Sequence, residues 1–365
     1  MDQSTNKPPI SIFTATQGHA SIATAIAKKL TNFHTYLHPY QGNQLDLYVL
    51  LYRLAPSQFK IIYNFSAQKP IQILYSLFNT LTYSKTIKKQ ISTHPPKLAI
   101  STYSPINPAI FHVLEPKNIP SINIIHNPYT IHPLEAYHHG PNLVFDQTGY
   151  HRLKQLGVPS SFIVKSGWFV QPQFEQSYDQ NLIRDRLGFP KSQPLFLFQT
   201  GSEGTQSILN TLKKVQVSNT SQVIFACGNN KLLLKQISSL SSRLKRSKIT
   251  LTPLPFTNDL HLYMQASDLV VGKAGPNTIF EAVATHTPFF ATNHISGQED
   301  GNLNLIRDYS LGYVQETPHL AAQKISQLLN NPDQLKQFKP HLQKLASYNK
   351  KSINILTQKI QELTI

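Results

Sequence analysis

The stretch that most constrains this chain covers residues 266–302 and reads ASDLVVGKAGPNTIFEAVATHTPFFATNHISGQEDGN. A short apolar run over 269–271, bounded by Gly272, has the length and composition of a buried strand. Lys273, Ala274, Gly275, Pro276, Asn277 and Thr278 then predict a tight turn. Pro276 or Asn277 opens a helix through Ile279, Phe280, Ala282 and Val283. A second strand is expected over 288–291, followed by a polar loop over 296–302. Strand, glycine turn, helix and strand make a βαβ unit. Its turn falls at the carboxyl end of the first strand, where open α/β sheets bind ligands.

The chemistry open to such a unit follows from its parts. Glycine lets a backbone approach a ligand closely, and a helix start offers N–H groups and positive partial charge. Together they suit a diphosphate. Glu281, a turn inside the helix, can accept hydrogen bonds from two vicinal hydroxyls such as those of a ribose. Gln298 and Glu299 bring an amide and a carboxylate suited to sugar hydroxyls. The competing reading is a plain crossover whose glycine serves only packing. The combination points instead to a nucleotide sugar.

SDLVVGKAGPNTIFEAV followed by GQEDGN resembles the donor site of glycosyltransferase family 28. It is nearest to monogalactosyldiacylglycerol synthases and diacylglycerol glucosyltransferases, and more distant from the N-acetylglucosaminyltransferase that makes lipid II. The resemblance implies an α/β chain of the GT-B type, two Rossmann-like domains facing a cleft. Residues 1–165 would form an acceptor and membrane-facing domain, and 170–335 the donor domain. A terminal helix over 340–365 would pack back on the first. The implied donor residues are Lys273, Gly275, Pro276, Thr278, Glu281, Gln298, Glu299 and Asn302. Gly201, Ser202 and Gly204 match the family loop facing the donor phosphates. Gly228 and Asn229 match a Cys-Gly step in relatives, and Phe256 lies in the segment that reads the base.

The implied reaction is inverting transfer of a hexose from a UDP-sugar to a membrane lipid such as diacylglycerol. No cofactor is expected, since the UDP-sugar is a substrate and the helix start can stabilise the leaving diphosphate in place of a metal. The rivals are a lipid-II-type transferase, a nucleotide-sugar epimerase, and a non-catalytic protein that binds UDP or lipid.

The first half repeats the strand–turn–helix pattern, with a strand over 10–14, a turn over 15–21 and a helix over 22–30. His19, after Gly18 in that turn, is placed to accept a proton from an acceptor hydroxyl. Gly18, His19, Ala20 and Ser21 match the family's pattern, whereas Thr16 and Gln17 replace its further glycines. His34, His38, His94 and His112 read as surface or structural residues. Over 45–89, Tyr, Leu and Phe interleave with bases. Ile71, Leu74, Tyr75, Phe78, Leu81 and Thr82 recur at helical spacing, and Lys85, Lys88 and Lys89 follow. Aromatics with flanking bases suit a lipid headgroup region, and the resemblance places the lipid acceptor here. Relatives often carry Thr-Asp at the end of the strand expected over 121–125, where this chain has His126 and Asn127. His132 matches a histidine of the galactolipid enzymes. His132, His138 and His139 lack a carboxylate-rich ligand set, so no metal is expected. Gly167 matches a linker motif, with Trp168 and Phe169 standing where proline is usual.

At 365 residues the chain has room for two cored domains. One cysteine, Cys227, excludes an internal disulfide and any zinc spacing, and reads as a buried small hydrophobe. The formal charge of +16 divides into +9 over residues 1–170 and +7 over 171–365. With no nucleic-acid motif, a spread basic surface is expected to face anionic lipid. No apolar run reaches the ~20 residues of a membrane span, and residues 1–9 lack a signal peptide's apolar core. The expected place is cytoplasmic, peripheral at the inner face of the cell membrane.

Overall fold

A computed structural model of the chain describes residues 7–16, 18–40, 56–200, 205–244 and 248–364. They fall into two compact units. The first comprises Met1–Pro172, Ser296–Gly301 and Tyr348–Ile365, and the second Gln173–Ile295 and Asn302–Ser347. The chain therefore crosses between units more than once, and the segment carrying Gln298 and Glu299 groups with the first rather than with the second.

The first unit is built on six parallel strands: β1 (Pro9–Ala15), β2 (His34–Tyr40), β3 (Leu98–Ser101), β4 (Ser121–Ile124), β5 (Asn142–Val144) and β6 (Ile163–Lys165). Their spatial order is β2-β1-β3-β4-β5-β6. Ile10, Ile12, Phe13 and Ala15 are all fully buried, as expected of a strand covered on both faces. The chain leaves β1 toward β2 and returns on the other side to β3. The gap between the carboxyl ends of β1 and β3 is thus a topological switch point.

The helix after β1 is Gly18–Lys29, so Gly18 and His19 open the helix instead of standing in the turn expected there. Gln17 lies outside the described residues. A helix of 25 residues, Lys69–Thr93, crosses the unit. After β5 the Asp146 carboxylate accepts from the N–H groups of Thr148 and Gly149 and caps the helix Gln147–Gln155. At the other end of the sequence, Tyr348 Oη donates to the Phe145 carbonyl at 2.7 Å. Trp168 N–H donates to Asn349 Oδ1 at 3.0 Å. Gly167 there adopts a φ of 80°, and a Cβ would lie 3.1 Å from Asn349 Oδ1.

The second unit has six parallel strands of its own: β7 (Leu195–Gln199), β8 (Ser221–Gly228), β9 (Ile249–Pro255), β10 (Leu269–Lys273), β11 (Phe289–Asn293) and β12 (Gly312–Val314). The order β12-β11-β10-β7-β8-β9 puts its switch point between β7 and β10. Phe196, Phe198, Phe225, Phe289 and Phe290 are fully buried and fill the space between the sheet and its helices. A helix begins at Asp300 inside the expected polar loop, and the terminal helix expected over 340–365 is two helices, Lys339–Asn349 and Ser352–Thr364, preceded by a 3-10 segment, Pro332–Phe338.

Candidate active site

In the second unit the site grows out of β10. Gly272 lies inside this strand, not beyond it: an added Cβ would come 2.9 Å from the Gln199 carbonyl oxygen of β7, so the two backbones meet where only glycine fits. The ladder to β11 shifts register between Gly272 and Lys273. The turn is pinned by backbone bonds, Ala274 N–H to the Asn293 carbonyl at 2.8 Å and Gly275 N–H to the Lys273 carbonyl at 2.7 Å. Asn302 adds a third tie, its Nδ2 donating to the Ala274 carbonyl at 2.8 Å. This side chain is buried on the helix Asp300–Asp308 rather than in a loop, so its visible task is to hold the turn.

Gly275 caps the helix Pro276–Ala284 with extended backbone and no side-chain acceptor, and Pro276 occupies the first turn. Lys273, Gly275, Pro276 and Thr278 are all partly accessible around this positive helix end. Glu281, further along the same helix, has its carboxyl pushed up to about 8 by burial. A carboxyl so desolvated gains from any ligand that donates hydrogen bonds to its ionised form.

Beside this turn, at the carboxyl ends of β7, β8 and β9, a cavity of about 470 Å³ is lined by Gln199, Thr200, Gly228, Asn229, Phe256 and their neighbours. Its size falls in the range of small-ligand pockets. Phe256 is 62% exposed, presenting an aromatic face at the cavity. Gly228 takes a φ of 53°. Cys227 also lines the cavity, but burial pushes its thiol up to about 11, so it behaves as an apolar wall. Gly201, Ser202 and Gly204 lie outside the described residues.

Gln298 and Glu299 are found in the first unit's segment, Glu299 buried. Lys60 pairs with Asp300 at 2.8 Å, and Gly301 N–H donates to Thr130 Oγ1 at 2.8 Å.

The first unit's own site lies at its switch point. His19 follows β1, Thr102 follows β3 and His126 follows β4. His19 Nδ1 lies 2.9 Å from the Thr102 carbonyl, which can only accept, so Nδ1 carries the proton and Nε2 the lone pair. Burial lowers this imidazole to about 4, keeping it neutral at physiological pH. Tyr103 and His126 meet its ring edge-on, with centroids 5.0 and 4.3 Å away. His132 is engaged elsewhere. Its Nδ1 accepts from Leu134 N–H at 3.2 Å and its Nε2 faces the Tyr63 carbonyl at 3.2 Å. The fold needs it as a cap, paired with Glu135 in a capping box. His139 stacks on Phe111 at 3.8 Å. Among the described residues no group of three or more His, Cys, Asp or Glu is placed to hold a metal.

The long helix sorts its apolar residues. Tyr75 falls on the inner stripe with Asn79, Tyr83, Ile87 and Ile91, and is half-buried. Ile73, Leu74, Leu77, Phe78 and Leu81 face outward, as do Ile61, Ile62 and Phe65 of the preceding helix Pro56–Phe65. Lys85, Lys88 and Lys89 are exposed. No helix among the described residues is long and apolar enough to cross a membrane. The sequence reading missed Glu135, a buried acid near His126; the only local signal was its capping spacing from His132.

Known proteins resemble this chain in sequence over its carboxyl-terminal half and in fold over nearly its whole length. Residues 196–351 match the glycosyltransferase family 28 C-terminal domain. Monogalactosyldiacylglycerol synthase 3 of Arabidopsis thaliana is 30% identical over 162 residues, 42% of this chain and 34% of that protein. The processive diacylglycerol beta-glucosyltransferase of Staphylococcus epidermidis is 30% identical over 149 residues, 40% of this chain and 37% of that one. The match thus spans little more than a third of either relative's length. The HepE protein of Anabaena, solved with UDP-glucose, superposes over 98% of this chain and 99% of its own with a TM-score of 0.60 at 12% identity, a likeness of fold. The two parallel sheets are accordingly the paired Rossmann-like domains of the GT-B architecture. In sequence, this chain is thus similar to glycosyltransferase family 28 over its carboxyl-terminal stretch 196–351.

Proposed function

We propose that the protein transfers a hexose from a UDP-sugar to the hydroxyl of a membrane lipid, with inversion at the anomeric carbon. The observation that carries this reading is the second unit's switch point. A nucleoside-sized cavity stands beside a glycine-capped helix start, with a desolvated carboxyl on the same helix. The helix end takes the diphosphate, Glu281 the ribose hydroxyls, and the Phe256 face the base. His19 acts as the base for the acceptor hydroxyl through Nε2, its neutrality secured by burial. The lipid class is supported by two relatives whose names specify diacylglycerol products.

The outward apolar face of the two helices, flanked by Lys85, Lys88 and Lys89, is read as the surface that meets an anionic bilayer. On this reading the protein works at a membrane surface, with the inner leaflet of the cell membrane as the proposed location.

Calorimetry with UDP, followed by a transfer assay with labelled UDP-glucose or UDP-galactose and diacylglycerol vesicles, tests the reading. Labelled glycolipid is the expected product. Absence of UDP binding refutes the whole proposal. Release of an epimer without acceptor replaces it with the epimerase reading, and transfer only to a lipid-linked amino sugar with the lipid-II-type one.

A further inference from the structure

Beside His19, two buried polar atoms face each other without a hydrogen-bond partner: His126 Nδ1 and Glu135 Oε2. They lie 3.7 Å apart, just beyond bonding distance. The acid is aimed by its other oxygen, since Glu135 Oε1 accepts from Asn127 Nδ2 at 2.7 Å and from His132 N–H at 3.1 Å. The His126 ring stands edge-on to His19 at 4.3 Å and 72°. A carboxyl and an imidazole from the segment after β4 and the proposed base after β1 are thus in series.

We propose that His126 and Glu135 are positioning residues that compensate charge at His19, Glu135 giving up a proton through His126 as His19 takes one from the acceptor hydroxyl. The proposal rests on the reading of His19 as the base. The proton passes from the acceptor oxygen to His19 Nε2, and its electron pair stays on that oxygen for attack. The Glu135 Oε2–H bond breaks, His126 Nδ1 receives that proton, and His126 Nε2 releases one to solvent through its 12% exposed side chain. The cluster begins and ends with no net charge.

The physical need is plain. A lone imidazolium in a desolvated site is costly, and a carboxylate formed at the same moment offsets it. Burial drives the two groups apart, His19 down to about 4 and Glu135 up to about 8, so the resting cluster keeps its proton on the acid and its histidines neutral. His126 is itself lowered by burial and by the neighbouring His19. The other groups facing His19 are the Thr102 carbonyl and the Tyr103 ring, whose hydroxyl burial holds neutral. Facing Glu135 are the Asn127 amide and the His132 backbone. The His132 ring, lowered by burial and by Arg152, is turned to Tyr63 and Leu134.

The test follows the imidazole signals of the full-length, histidine-labelled protein by NMR between about pH 6 and 10. His19 is expected to show a step near pH 8 as Glu135 ionises. Glu135→Gln, which preserves the shape and the Asn127 contact, removes that step. The same variant is expected to lower kcat roughly ten- to hundredfold with donor KM unchanged, and Glu135→Asp to restore part of both. A step that persists in Glu135→Gln, or is missing from the parent, overturns the coupling. Should Glu135→Gln fail to fold, His126→Phe keeps the ring packing and decides: the proposal requires a weakened step and a lower kcat. Full turnover by His19→Ala, while the parent protein shows the step and Glu135→Gln removes it, refutes the base assignment instead, so the two failures are distinguishable.

Discussion

Replacing Leu74, Leu77 and Leu81 together by serine tests the membrane reading where it is most exposed to failure. These side chains are 64%, 58% and 83% exposed, so roughly two-thirds of each remains to be withdrawn from water by a bilayer. Full burial of a leucine is worth about 1.5–3 kcal/mol, so each contributes ~1–2 kcal/mol and the three ~3–6 kcal/mol. At ~1.4 kcal/mol per decade, partitioning onto vesicles should fall roughly 10²- to 10⁴-fold. The folded protein should scarcely notice, because exposed positions seldom matter by more than ~0.5 kcal/mol each and serine adds only a modest helix penalty.

Co-sedimentation with vesicles of neutral lipid, with and without an anionic component, measures the first effect, and a thermal melt the second. Anionic lipid should strengthen binding by about 1 kcal/mol for each of Lys85, Lys88 and Lys89 that reaches the surface, and salt should erode that part alone. Undiminished sedimentation of the triple variant refutes the assignment of this face to lipid. A large drop in melting temperature refutes it differently, by showing that the face is packed in solution. A change from dimer to monomer on sizing would identify the covering partner as a second copy.

Three further outcomes concern the second unit and its proposed nucleotide site. The Glu281 carboxyl, held near 8 by burial, should fall when ribose hydroxyls donate to it; UDP should therefore bind more tightly as pH rises toward about 8 and level off above, and Glu281→Gln should abolish the slope and weaken binding by about 1–3 kcal/mol in calorimetry. The same raised carboxyl stabilises the unliganded fold below its ordinary value of ~4.5, and that contribution is lost as pH rises through about 8, a loss the glutamine variant should not show in pH-dependent melts. Gly272→Ala should destabilise the fold by about 1–3 kcal/mol, read as a lowered melting temperature, because its Cβ meets a ladder-bonded carbonyl that cannot retreat; an unchanged melt would mean that β7 and β10 are looser than their register implies.

Much of the second unit was legible because its signals are local. A strand, its glycine, the proline that opens the helix and the glutamate within it lie on one continuous run, and each has a physical cue. What was misread there is also local. Gly272 looked like a strand terminator, yet it continues the strand because a neighbouring backbone occupies the place of its side chain. Residues 300–302 looked like loop from their polarity, yet Asp300 stands in the first turn of a helix, where an acid is favoured. The long helix was legible as a helix but not as to its outside: it is apolar on two stripes, and only packing shows that Tyr75 turns in while Leu74 and Phe78 turn out. The pairing of His126 with Glu135 was invisible for a different reason. Their meaning depends on β1, β3 and β4 lying side by side, an adjacency that no sequence window contains.

The two switch points use one geometry for opposite electrostatic ends. In each sheet the first strand of the unit lies inside the sheet, and the reversal beside it opens a gap at the strands' carboxyl ends. At β7 and β10 the gap is edged by a helix end whose fixed partial charge awaits an anion, so the site is polarised before any ligand arrives. At β1 and β3 the gap holds a histidine whose Nδ1–H is spent on a carbonyl and whose charge is suppressed by burial, so the site is held neutral until a proton arrives. A standing charge suits a leaving diphosphate, which stays anionic throughout. A suppressed one suits a base that must be unprotonated at the start and protonated at the end, and such a base needs a nearby acid able to ionise when it does.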